Sequence, residues 1–163
     1  MAGLTCILIA LLVLCSAWVS PPSPSGDIVA PDISVPDIEA LQLQLFKGLD
    51  KLESMGAYLE GEDGDFLGKL SKNRFDSDSL ANTFGDHGSK YSSKSIFNTY
   101  GDYGSKYSSK SAYSKYAIDP PKILIEQSGK AYIVGYLTMN KSLVRTGQKI
   151  SPKLIEFWIE KQD

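Results

Sequence analysis

The sequence predicts a small α+β domain: an antiparallel sheet of two related β-hairpins, one long amphipathic helix, a C-terminal helix and a Tyr/Ser/Gly repeat loop between the hairpins. Three observations predict it. Apolar residues recur at spacings of three and four from Ile38 to Leu52. Two hairpin patterns have matching return strands. Between them lies a duplicated stretch, residues 79–94 followed at once by 95–110, identical at twelve of sixteen positions.

In chain order, residues 1–20 contain the uncharged apolar run Leu4 to Val19, ending in small residues before Pro21-Pro22-Ser23-Pro24. That is the layout of a signal peptide, with cleavage expected near residues 17–20. The run falls slightly short of the roughly 20 residues a membrane span needs. Contact with a membrane is expected only if this segment stays uncleaved. Cys6 and Cys15 both lie inside it, so the exported chain would carry no thiol, disulfide or cysteine metal site. Residues 21–35 are rich in Pro, Ser and Asp and read as an extended linker. Residues 36–163 read as a single domain.

Ser34 and Asp37 signal a helix start and Gly56 a stop, enclosing Ile38, Leu41, Leu45, Leu49 and Leu52 on one apolar stripe expected to pack on the core. Ala57-Tyr58-Leu59, an acidic Gly-Glu-Asp-Gly-Asp turn and Phe66 to Ser71 form the first hairpin. Lys122 to Glu126, a Gln-Ser-Gly-Lys turn and Ala131 to Thr138 form the second. Residues 66–73 align with 133–140 as apolar, apolar, Gly, any, Leu, Ser/Thr, any, Asn. Ser151 as cap and Pro152 at the first helical position open the terminal helix, with Trp158 as its anchor.

The repeats read SLANTFGDHGSKYSSK and SIFNTYGDYGSKYSSK, with a decaying third copy from Ser111. Serine followed at six residues by Gly85 or Gly101 suggests a capped helical turn closed by a left-handed glycine. Tyr-Ser-Ser-Lys suggests an exposed extended piece. The aromatics Phe84, Tyr100 and Tyr116, with Tyr91 and Tyr107, are expected to pin this loop to the sheet. Tyrosine beside Ser, Gly and Asn is also the composition of adaptable recognition surfaces, which makes Tyr91, Tyr100, Tyr103 and Tyr107 candidate binding residues, with Asp86 and Asp102 beside them.

The pattern N-x-[FY]-G-x-[HY]-G-S-x-Y-S-S-x-S, followed by Tyr116-Ala117 and Pro120-Pro121-Lys122-Ile123, resembles a group of uncharacterised exported bacterial proteins. In that group N-x-Y-G-x-Y-G-S-x-Y-S repeats are flanked by a hairpin ending in Gly-x-Leu-Ser/Thr, like Gly68–Ser71 and Gly135–Thr138 here. The resemblance spans about Phe66 to Asn140. It implies export and module identity, and no activity.

Charge divides the chain: residues 21–78 carry twelve acids against five bases, 79–116 five lysines against two aspartates, and 117–163 seven bases against five acids. A mildly acidic chain with only Arg74 and Arg145 as arginines is a poor nucleic-acid binder. The chain has no Gly-x-Ser-x-Gly elbow, Ser-x-x-Lys motif, P-loop or dinucleotide fingerprint, and its one histidine, His87, is Tyr103 in the second copy. No metal or cofactor is expected, although the acidic clusters at 60–65 and 76–78 contain calcium-type ligands without EF-hand spacing. The expectation is a secreted or cell-envelope module without catalysis, whose tyrosine-rich repeat binds a cell-surface polysaccharide or protein. The alternatives are a secreted hydrolase of wall polymers acting through carboxylates such as Asp86 and Asp102, or a membrane-tethered structural protein.

Overall fold

The structure, a computed structural model, describes residues 38–161. The expected signal segment and proline-rich linker, and the start of the first helix at Ser34, lie outside the described residues. Among the described residues no helix is long and apolar enough to cross a membrane.

Helix α1 (Ile38–Ser54) leads into β1 (Tyr58–Glu60) and β2 (Phe66–Lys69); β3 (Lys122–Gln127), β4 (Lys130–Leu137), β5 (Gln148–Ile150) and helix α2 (Pro152–Glu160) follow the repeats. The five strands form one sheet in the order β2-β1-β3-β4-β5. The two hairpins therefore sit side by side, with β1 and β3 antiparallel at the centre and Leu59 opposite Ile123. The sheet is mixed rather than wholly antiparallel, because β5 runs parallel to β4. At three residues, Gln-Lys-Ile, β5 is too short to show alternation in the sequence.

The matching return strands have a structural counterpart. Gly68 pairs with Leu59 and Gly135 with Ile123, and each pairing is followed by a register shift in the first strand of its hairpin. The Leu70 N–H donates to Ala57 O and the Leu137 N–H to Pro121 O, both at 2.8 Å. Leu70 and Leu137 enter one core with Leu59, Leu67, Ile123 and Ile125. The two glycines serve a common purpose with different neighbours. A Cβ on Gly68, whose φ is +117°, would lie 2.7 Å from His87 Cβ, and one on Gly135 would lie 2.6 Å from Gln148 O. In each hairpin the missing side chain lets the next piece of chain approach the sheet.

The apolar stripe of α1 packs on the core over its second half only. Leu49 is buried and Leu52 half-buried, whereas Ile38, Leu41 and Leu45 are exposed. The second half is held to α2, where Phe46 and Phe157 pack with centroids 5.5 Å apart and the Trp158 indole N–H donates to Asp50 at 2.9 Å. The Lys72 ammonium, 2.7 Å from Asp50, and then the Trp158 N–H hold the Asp50 carboxyl below its usual range.

The segment between the hairpins is a set of three sixteen-residue coils, 73–88, 89–104 and 105–120, not a loop with isolated helical turns. Its rule is a polar side chain at every third residue. In the first coil Asn73, Asp76, Ser79 and Asn82 each accept, through a side-chain oxygen, the backbone N–H two residues on. Ser89, Ser92, Ser95 and Asn98 do the same in the second coil, and Ser105, Ser108, Ser111 and Ser114 in the third. All twelve bonds measure 3.0–3.3 Å. Such Asx and Ser turns compete with helix and strand for the backbone, and here they displace both. A four-residue step then resets the phase, with the Ser89 N–H donating to Gly85 O and the Ser105 N–H to Gly101 O. Four steps of three and one of four make sixteen.

The expected left-handed closure at Gly85 and Gly101 is absent, since neither has positive φ. The glycines that matter most are Gly88 and Gly104, where a Cβ would meet the carbonyl oxygen of Asn82 or Asn98 at 2.2 Å. Ser79, Ser95 and Ser111 have no exposed surface, and Leu80, Ile96 and Ala112 beside them join the sheet's core. The rings thought to pin the segment do the opposite. Phe84, Tyr91, Tyr100, Tyr107 and Tyr116 point into solvent, and the anchoring falls to these aliphatics, to Tyr103 and to half-buried Phe97 and Tyr113. The aliphatic position lies next to a serine whose hydroxyl already satisfies a backbone N–H, so it can be buried at little polar cost.

Candidate functional site

The outward side of the coils carries two ring positions per coil, the third and the twelfth. They are occupied by Phe75 and Phe84, Tyr91 and Tyr100, and Tyr107 and Tyr116. All six rings are 85–99 % exposed. Each is placed by the same device, a polar side chain two residues earlier that bonds its backbone N–H. The inward residues of all three coils share one core, so the outward rings share the opposite side. Protein surfaces commonly expose single aromatic rings, whereas here six stand at matched positions of successive coils.

Of the residues expected to bind, Tyr91, Tyr100 and Tyr107 belong to this set. Asp86 and Asp102 are exposed and follow the second ring of their coils by two residues. Tyr103 does not belong. It is only 6 % exposed, and its O–H donates to Asp65 at 2.7 Å in the turn of the first hairpin. Its equivalent His87 is also buried, edge-on to Phe66 at 5.0 Å, with Nδ1 unpartnered. Burial pushes the His87 pKa down. The fifteenth position of the coil thus faces the first hairpin in two copies, which rules Tyr103 out of a contact surface. Sequence reasoning missed Phe75 and gave Phe84 and Tyr116 only a packing role. The signal for Phe75 was available, because Asn73-Arg74-Phe75-Asp76-Ser77-Asp78 occupies the place of Ser-Lys-Tyr-Ser-Ser-Lys.

The acidic clusters considered for calcium have lysine and arginine partners instead. Asp63 pairs with Lys110, Glu62 with Lys122 at 3.0 Å and Arg145 at 3.8 Å, and Asp76 and Asp78 with Lys69 at 3.7 and 2.9 Å. Among the described residues no group of three or more His, Cys, Asp or Glu side chains converges as a metal site would. Two surface depressions, one around Tyr136, Leu143, Arg145 and Lys149 and one around Thr138, Asn140 and Lys141, include no coil residue in their walls. At 85–99 % exposure the rings stand on open surface, suited to lie along a large ligand and not to enclose a small one.

Two inward phenols, buried Tyr103 and half-buried Tyr113, are expected to give the coils a pH response. Burial and then the Asp65 carboxylate push the Tyr103 pKa up, and burial and then Glu156, which accepts the Tyr113 O–H, push Tyr113 up. A group whose folded pKa is raised contributes stability that is present below its unfolded pKa and is lost as pH climbs through the folded one. Urea midpoints should therefore hold steady up to about pH 10 and fall above it. The double variant Tyr103→Phe with Tyr113→Phe should start lower and fall less steeply. An equally steep alkaline fall in that variant would mean these phenols are not the cause.

No protein-family model, no curated protein and no solved structure matches this chain.

Proposed function

We propose that the protein is an exported, non-catalytic recognition module that lays its ringed coils along an extended cell-surface polymer, a polysaccharide or a protein. The observation that carries this reading is the division of the coils: every aliphatic of the eighth position is buried, while every ring of the third and twelfth is in solvent. Large rings left in water lower solubility and contribute nothing to the core. On a surface that binds, they supply wide, rigid contact area at low cost in conformational entropy. The open placement of Asp86 and Asp102 supports a contact role for them. Export rests on the apolar segment before residue 20, and the intact mass of secreted protein lacking its first seventeen to twenty residues would support it.

The test is binding to cell-surface material by wild type and by the double variant Tyr100→Ala with Tyr107→Ala. Each ring should contribute about tenfold in affinity, close to 1.4 kcal/mol. Folding stability should stay within about 0.5 kcal/mol, because neither ring packs on the core. Unchanged binding by the double variant would remove the rings from the contact surface.

A further inference from the structure

The rings are accompanied by charge. In every coil the residue before the first ring is a cation: Arg74 before Phe75, Lys90 before Tyr91 and Lys106 before Tyr107. Lys115 precedes Tyr116 in the same way, and Lys94 adds another cation in the second coil. All five are exposed, and none forms an ion pair among the described residues. Most other coil charges are engaged. Asp76 and Asp78 hold Lys69, Lys110 holds Asp63, and Asp119 holds Arg145. Only Asp86 and Asp102 remain as unpaired coil carboxylates. The coils thus carry five unneutralised cations against two anions, four of the cations directly before a ring, on a chain whose formal net charge is −2.

Resting on the reading of the ringed coils as a contact surface, we infer that their ligand is an anionic polysaccharide, a chain of sugars bearing carboxylate or sulfate groups. A sugar ring has an apolar C–H face that stacks on an exposed aromatic ring, and its hydroxyls suit the Ser, Thr and Asn around each ring. Consecutive Cα atoms lie about 3.8 Å apart, so a cation directly before a ring reaches an acid group on the sugar stacked there. That pairing recurs once per coil, and a repeating surface matches a repeating polymer. A neutral glycan would use the rings and leave the cations idle. An acidic peptide would use the cations without needing flat rings in register.

The experiment titrates the full-length protein with polymer pairs that differ only in charge: polygalacturonate against its methyl ester, and dextran sulfate against dextran. Poly-glutamate serves as a polyanion without sugars. The acidic member of at least one pair should bind about tenfold or more tighter than its neutral partner, and weaken as salt is raised. The triple variant Arg74→Gln, Lys90→Gln and Lys106→Gln should lose about tenfold or more for that polymer and flatten its salt dependence, while keeping its melting temperature. The variant Tyr91→Ala with Tyr107→Ala should lose affinity with the salt dependence unchanged. Equal affinity for the acidic and neutral members overturns this inference and leaves the ringed surface standing. Poly-glutamate binding as tightly as the best acidic glycan also overturns it, in favour of an acidic protein partner. Failure of every acidic glycan to bind overturns this inference, while the ringed surface is tested separately by the variant Tyr100→Ala with Tyr107→Ala.

Discussion

Gly104→Ala is expected to unfold the protein or to cost more than about 4 kcal/mol, a large share of the roughly 5–15 kcal/mol that holds a domain together. The added Cβ would lie 2.2 Å from the Asn98 carbonyl oxygen and 2.5 Å from that of Ile96. Both obstacles are backbone, fixed by the turn bonds on either side of Asn98. No side-chain rotation relieves them, so the second coil has to open. Gly48→Ala is the matched control. It lies inside α1 with nothing within 4 Å of the new methyl, and should gain up to about 1 kcal/mol from helix propensity. Urea unfolding of the two variants checks the pair. A Gly104→Ala protein as stable as wild type would mean that the coil does not turn where the structure places it.

Ile96→Ala should cost about 2–5 kcal/mol, because its side chain is fully buried and leaves a cavity among Leu80, Ala112 and the sheet. Tyr100→Ala, four residues along the same coil, should shift stability by no more than about 0.5 kcal/mol. A tyrosine is the larger side chain, so composition alone would rank the two the other way. Equilibrium denaturation with unchanged m-values would establish the order. Equal losses would place Tyr100 against the core and remove it from the solvent face.

These two contrasts mark how far the sequence could be read. The hairpins were legible because short alternating runs flank turn residues, and because the Gly-x-Leu-Ser/Thr element occurs twice. That pairing placed Leu70 and Leu137 in a single core. The terminal helix was legible from Pro152 at its first position, and Trp158 is buried as its anchor, but Ser151 stands at the N-cap position without a side-chain cap bond. The coil register was hidden for a physical reason. Its phase is set by Ser, Asn and Asp at three-residue intervals, and those residues read simply as loop composition unless the side-chain-to-backbone bonds are visible. The first coil was missed because Arg74, Phe75, Asp76 and Asp78 stand where the second has Lys, Tyr, Ser and Lys.

The candidate surface was legible by residue type but not by direction. Tyr100 and Tyr103 lie three residues apart in the same glycine-rich setting, yet one is in solvent and the other meets Asp65. A usable hint was that Leu80, Ile96 and Ala112 stay aliphatic across the copies, which fixes the inward face and leaves the two ring positions outside. The exposed first half of α1 shows the converse. A regular apolar stripe predicts a helix well, but not how much of the stripe the rest of the fold covers.

The most direct measurement is the nitration rate of each tyrosine in the native protein, resolved by mass spectrometry of its peptides. Tyr91, Tyr100, Tyr107 and Tyr116 should react together at the rate of unfolded chain, with Tyr103 and Tyr113 protected until denaturant is added. Equal modification of Tyr103 and Tyr100 in the folded protein would contradict the three-coil arrangement and the contact surface built on it.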